Sequence, residues 1–287
     1  MEKEKKFGSF CFILGIYVFC FIFRGFEYLV LRTDQSILGE AFIHKLIGIL
    51  ILLIALRYQS ISWREIGFAP TLIGKNIVLG LGLGLLVFIP AYGIEFVAQY
   101  VSGNTPSLEL YVTSYEIGGN IGNQIALKFY LVCFAGNIMN VVMEEGVFRG
   151  LFLKMAEEKN SFLRATVISS VLFGFWHIAA PMRSFLDGQM GLLPTCIAML
   201  SLVLMSGLMG AKLCLLTKIC GNLWVPMADH FFNNTIINIL HITGVSGGDQ
   251  LQVLRIAMAQ TLSFIIVLIL FQRTKANKKV TFRTKES

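Results

Sequence analysis

Long apolar stretches recur along this chain with almost no charge inside them, and that pattern limits it to very few structures. A lipid core offers no water to backbone N–H and C=O groups, so a segment crossing it must satisfy them internally, as a helix. Taking about 18–25 residues as the length needed to cross, eight candidate spans fall near residues 8–31, 40–57, 76–100, 122–148, 163–180, 190–211, 223–241 and 252–272. The second is weak, because its uncharged core Leu46–Leu56 is short and Lys45 precedes it; the sixth is soft at both ends. The chain is 55% hydrophobic and only 14% charged, where a soluble domain carries about a quarter charged residues. The expected fold is all-α: a polytopic integral membrane bundle of about eight transmembrane helices. The loops leave no room for a soluble unit, so residues 1–287 read as a single membrane domain ending in a basic cytoplasmic tail over 273–287. The N-terminal run Phe7–Leu31 is too long for a signal peptide and lacks a small-residue cleavage site, so it reads as a retained first span.

Lys and Arg distribution sets the expected orientation. With the N-terminus cytoplasmic, eighteen Lys and Arg fall inside, and five (Arg32, Lys45, Lys128, Arg183 and Arg255) fall outside. Both ends are then cytoplasmic and the span number is even. The net charge of +7 is accounted for by these flanking residues, and without a basic, aromatic-interleaved surface there is no nucleic-acid partner to expect. Six cysteines show no CxxC or Cys/His spacing and read as buried free thiols filling core or lipid-facing positions. Gly80, Gly82 and Gly84 in the third span suit close helix approach. Pro90 and Pro226 kink or start helices. Arg24 and Glu27 in the first span are expected to pair with each other, and the tail from Arg273 to contact anionic lipid as a disordered segment.

Charges inside spans are costly and mark pairs or function. The densest group is Val141–Gly150, VVMEEGVFRG. Glu145 and Arg149 are four apart and can neutralise each other on one helix face. Glu144, about 100° around the helix from Glu145, needs another reason to be there. Two further polar points interrupt apolar helices: His177, four residues after Phe173, and His230, four residues before Asn234. Glu144 and His177 are symmetric about Asn160–Ser161, a good turn pair. If the fourth helix runs on to that turn, the two face each other in an antiparallel hairpin, about 24 Å from its tip at 1.5 Å per residue. His230 lies roughly 10 Å into the seventh span from the same side. Three helices can thus bring polar groups into one layer below the cytoplasmic surface.

EExxxR (Glu144, Glu145, Arg149), FxxxH (Phe173, His177) and HxxxN (His230, Asn234), in this order and each in an apolar helix, resemble the CPBP family. Its members are intramembrane proteases related to type II CAAX prenyl endopeptidases and to bacteriocin-processing and self-immunity proteins. The resemblance covers about residues 125–240. It implies an endopeptidase that cleaves a peptide or protein substrate near the cytoplasmic membrane surface. Glu144 and His177 would activate the water, His230 and Asn234 would stabilise the oxyanion, and Glu145, Arg149 and Phe173 would support them. The chemistry is coherent, since hydrolysis needs an activated water and an oxyanion stabiliser. The expected mechanism is metal-free. The alternative is a zinc site on Glu144, His177 and His230, a His₂Glu set, and the family has been described in both ways. A different class of function, a non-catalytic bacteriocin immunity or membrane binding protein on the same fold, is also open at this point. A carrier would need polar groups on both sides of the layer, and the outer halves of the helices show few. The compact, loop-poor chain points to a bacterial plasma membrane.

Overall fold

The computed structural model describes residues 9–36, 39–113, 123–244 and 247–283. Among them are α1 (Ser9–Phe26), continued by a π-helical turn at Glu27–Leu31, then α2 (Ile43–Gln59) and α3 (Ile73–Val101). A short strand β1 (Ser107–Leu110) precedes α4 (Leu127–Glu144). α4 passes through a π-helical segment, Glu145–Phe152, into α5 (Leu153–Glu157). The next rod is α6 (Phe162–Phe175), a 3-10 turn at Trp176–Ile178, and α7 (Ala179–Leu186). α8 (Leu192–Cys220), α9 (Trp224–Ile239), β2 (Leu240–Thr243) and α10 (Gln252–Arg283) complete the described chain. The protein is an all-α polytopic membrane bundle. Among the described residues, six helical runs are long and apolar enough to cross a bilayer. α2 and α9, the counterparts of the second and seventh expected spans, are shorter, at 17 and 16 residues.

Side chains such as Leu79, Leu86, Ile89, Val97 and Leu204 stay more than half exposed, as expected of a surface that faces lipid rather than water. The helical run Leu127–Glu157 is the most enclosed of the six. α9 packs along α3 and α4, α6 along α8, and α10 against α8 and α3. Glycines set the closest of these contacts. A Cβ on Gly80 would run into the Val225 carbonyl oxygen, and one on Gly84 would lie 2.5 Å from Phe232 Cδ1. These two, four residues apart, form the small-residue face on which α9 lies. Gly82 meets nothing within 4 Å and takes no part. Pro90 lies inside α3, and Pro226 sits in the first turn of α9, where proline is tolerated.

Loops expected on the same side of the membrane do meet. Trp224 Nε1 donates to the Ala69 carbonyl at 2.7 Å, and Lys218 pairs with Glu157 at 2.6 Å. On the opposite side, Arg183 pairs with Asp34 and Arg32 with Asp187. There too β1 and β2 pair antiparallel, with Ser107 opposite Thr243. This small sheet departs from the expected all-helical course: α9 ends at Ile239, and the segment assigned to its last turn is extended. β-Branched Ile242 and Thr243 suit a strand, and His241 stacks on Tyr111 at 4.0 Å. The basic tail is likewise helical rather than disordered as far as Arg283, where α10 and the described residues end. All six cysteines are free: Cys20, Cys133 and Cys214 are buried, while Cys11 and Cys196 sit on exposed faces of α1 and α8, as expected of lipid-facing positions.

Candidate active site

The expected hairpin is present. α5 ends at Glu157 and α6 starts at Phe162, with Ser161 as its cap, accepting from the Arg164 N–H. The rod between is not uniformly α-helical. From Glu145 the winding widens, so that the Leu153 N–H bonds the Phe148 carbonyl five residues back. Ser169 Oγ donates to the same carbonyl at 2.8 Å. π-Helical stretches of this kind occur frequently at functional sites, and this one begins directly after Glu144.

Glu144 is buried, and its two oxygens differ sharply. Oε1 accepts from Trp176 Nε1 at 2.8 Å and lies 3.8 Å from Arg24 Nη1. Oε2 is buried with no hydrogen-bond partner among the described residues, and it faces His230 Nε2 at 3.7 Å. Buried polar atoms are nearly always bonded; Glu145 Oε2 is unbonded as well, and what sets Glu144 apart is that its open oxygen faces the Nε2 of His230.

Glu145 is more than the partner of Arg149. Its Oε1 accepts from Arg149 Nη1 at 3.1 Å and also from His230 Nδ1 at 2.7 Å. With Nδ1–H committed to Glu145, Nε2 is the nitrogen His230 turns toward Glu144. The Arg149 guanidinium stacks 3.9 Å from the Phe173 ring centroid. Phe173 also meets His177 and His230 edge-on, at 4.8 and 6.0 Å between ring centroids. Its carbonyl accepts from His177 Nδ1 at 2.8 Å. That bond fixes the tautomer and leaves the His177 Nε2 lone pair free to accept. Phe173 is therefore the shared wall that orients both imidazoles and the guanidinium.

Asn234, one turn along α9 from His230, is buried, and its carbonyl oxygen accepts from Asn233 Nδ2 at 3.0 Å. α4 and α9 run antiparallel, joined at Glu145–His230 and again at Asn137 Nδ2–Thr235 Oγ1, 3.3 Å. That register sets Asn234 about one turn, roughly 5.4 Å, from the level of Glu144.

The sequence reading missed three contributions. Trp176, adjacent to His177, is the direct partner of Glu144. Arg24 and Glu27 do not simply pair with each other: His44 stands between them, with Nδ1 on Glu27 Oε2 at 2.6 Å and Nε2 on Arg24 Nη1 at 3.1 Å. Arginine can only donate, so His44 accepts at Nε2 and donates at Nδ1, giving a relay from Glu27 through His44 and Arg24 to Glu144. Finally, Lys212, counted as a surface cation, is buried and paired with Asp229 at 2.6 Å. The outer halves of the helices are also more polar than expected, but the groups there close on one another: Arg255 bonds Glu95 and Asp249, and Asn137 bonds Thr235. They form ties rather than an open path.

A metal would need converging ligands. Among the described residues, no three His, Cys, Asp or Glu side chains come together as a metal-ligating group. Both imidazole Nδ1 atoms are committed to the protein, which leaves Nε2 of His177 and His230 as the available ligand atoms, as in metal-bound histidines, while the Arg24 cation stands beside Glu144.

Comparison with known proteins bears out the resemblance read from the motifs. Residues 126–236 match the family of type II CAAX prenyl endopeptidases described as Rce1-like. That segment contains Glu144, Glu145, Arg149, Phe173, His177, His230 and Asn234; Arg24, His44 and Gln260 lie outside it. The chain is 27% identical over 170 residues to the "Putative membrane peptidase YdiL" of Bacillus subtilis (strain 168). The aligned region is 58% of this chain and 59% of that relative.

Proposed function

On the match of residues 126–236 to the Rce1-like family, we propose that this protein is an intramembrane endopeptidase in which Glu144 is the general base. The observation that carries the proposal is the asymmetry of that carboxylate: Oε1 is held by Trp176 and Arg24, while Oε2 is buried, unbonded and aimed at His230. A gap of 3.7 Å is too long for a direct hydrogen bond and lets one reacting oxygen touch both atoms. Water donates to Glu144 Oε2, with His177 Nε2 as the second acceptor, and attacks the scissile carbonyl. The proton taken by Glu144 passes to the leaving amine nitrogen. In this reading His230, anchored through Nδ1–H on Glu145, acts as the imidazolium and donates from Nε2 to the oxyanion, together with the Asn234 amide. Such preorganised donors supply a large share of catalysis in acyl transfer.

The reaction is read as metal-independent, so dialysis against a chelator leaves turnover unchanged; loss on chelation with recovery on adding zinc overturns that part. The substrate is a peptide or protein segment presented near the cytoplasmic face of a bacterial plasma membrane, with both chain ends on that side. The test compares wild type, Glu144→Ala and Glu145→Ala in the source cell by mass spectrometry of membrane-proximal peptides, with both variants purified to check folding. A folded Glu144→Ala protein and an accumulating uncleaved peptide support catalysis. An unchanged peptide profile with the cellular phenotype intact overturns it in favour of an immunity or binding role.

A further inference from the structure

The amide of Asn234 is turned by a chain of buried side chains that starts at a lysine on another helix. Lys212 Nζ of α8 pairs with Asp229 Oδ2 at 2.6 Å and donates to Gln260 Oε1 of α10 at 3.0 Å. Gln260 Nε2 donates to Asn233 Oδ1 at 2.6 Å, and Asn233 Nδ2 donates to Asn234 Oδ1 at 3.0 Å. All five residues are buried. An amide taken alone can sit either way round, with oxygen and nitrogen exchanged. Here the ammonium decides the matter, because lysine has three donors and no acceptor. Facing Lys212, Gln260 must present oxygen, so its NH₂ points to Asn233. Asn233 must then present oxygen to Gln260 and NH₂ to Asn234. Asn234, its oxygen occupied, is left with its NH₂ as the end of the chain.

We propose that Lys212 and Gln260 are positioning residues that fix the Asn234 amide with its donor side toward the reacting carbonyl. This rests on the reading of Asn234 as an oxyanion donor. An Asn free to flip would present an acceptor to a developing negative charge in part of the population. Burying an ion pair at Lys212–Asp229 is costly, and a directional role explains its presence beside an uncharged amide chain better than stability does, since apolar replacement of buried pairs is often neutral or stabilising.

The proposal predicts an inverted order for two substitutions at Gln260. Gln260→Met cuts the chain and leaves Lys212–Asp229 intact. Both amides are then free to turn, and kcat falls about three- to tenfold. Gln260→Glu is nearly isosteric, yet it gives Asn233 an oxygen to face. Asn233 reverses, Asn234 follows, and a carbonyl replaces the donor, so kcat falls about 100-fold, as for loss of an oxyanion donor. The experiment measures kcat and KM for these variants and for Asn234→Ala in proteoliposomes. Its probe is a fluorogenic peptide with the sequence that accumulates in Glu144→Ala membranes, and thermal unfolding is followed in parallel. The expected result is Gln260→Glu slower than Gln260→Met, KM within about twofold of wild type, and no further loss when Gln260→Glu is added to Asn234→Ala. Wild-type kcat in Gln260→Glu, or an equal loss in the Asn234→Ala background, overturns the positioning role while leaving the oxyanion reading standing. Wild-type kcat in Asn234→Ala overturns both. Should Gln260→Glu fail to fold, wild-type kcat in Gln260→Met overturns the inference by itself.

Discussion

Replacing Trp176 by Phe isolates the clamp on the proposed base. The indole donates to Glu144 Oε1 at 2.8 Å, between side chains that are 1% and 2% exposed. Its ring also packs against Tyr17, Phe21, His44 and Phe148. Phenylalanine keeps most of that packing and removes the N–H. A hydrogen bond to a charged acceptor contributes about 1.5–3 kcal/mol, and the smaller ring leaves a void costing about 1 kcal/mol more. The expected destabilisation is therefore roughly 2.5–4 kcal/mol. Turnover suffers separately. With only Arg24 at 3.8 Å to hold it, the carboxylate loses its orientation, and a displacement near 1 Å lowers kcat about 100-fold. The assay pairs thermal unfolding in detergent with cleavage of the accumulated peptide, and Trp224→Phe is the control. Trp224 donates to a neutral acceptor, the Ala69 carbonyl, so its replacement costs about 1 kcal/mol and leaves kcat unchanged. The reasoning is refuted if Trp176→Phe unfolds and turns over like wild type while Glu144→Ala is inactive.

Gly80→Ala forces α3 from the Val225 carbonyl and costs about 1–3 kcal/mol, whereas Gly82→Ala, with open space around it, is neutral or slightly stabilising; melting temperatures in detergent distinguish them. Lys212→Met strands the buried Asp229 carboxylate and destabilises by about 3–5 kcal/mol, and adding Asp229→Leu recovers most of the loss. Asp249 lies outside the spans. Burial pushes its carboxyl up, but hydrogen bonds from His241 and Arg255 and the Arg255 charge outweigh this and hold it below the usual range. Its contribution is complete above the unfolded carboxylate value of about 3.9 and is lost as pH falls through the lower folded value. Acid unfolding curves should therefore be less steep with pH in Asp249→Asn.

What could be read from the sequence was local. The Glu145–Arg149 pair, the turn near Asn160–Ser161 and the small-residue face of Gly80 and Gly84 follow from helical spacing or turn chemistry, and the structure contains all three. The three motif helices do converge. What could not be read depends on partners distant in the chain. Trp176 counted as another apolar residue until Glu144 was found against it, and Lys212 counted as a flanking charge until α9 and α10 closed around it. Arg24 and Glu27 satisfied a pairing rule between themselves, which hid the role of His44 on the next helix. Nothing in periodicity signals the π-helical winding after Glu144, because the residues that form it would fit an α-helix equally well. The start of β2 fell inside an apolar run, 223–241, whose length alone favoured more helix, and its partner β1 lay in the loop between the third and fourth expected spans.

The most direct test of the general-base role is a single-turnover cleavage in H₂¹⁸O, using the peptide that accumulates in Glu144→Ala cells. If Glu144 acts only as a base, the first turnover places one ¹⁸O in the new C-terminal carboxyl and none in the enzyme. Product carrying only ¹⁶O, with ¹⁸O recovered in the Glu144 carboxylate, would mean that Glu144 attacks the carbonyl itself, and would contradict the account.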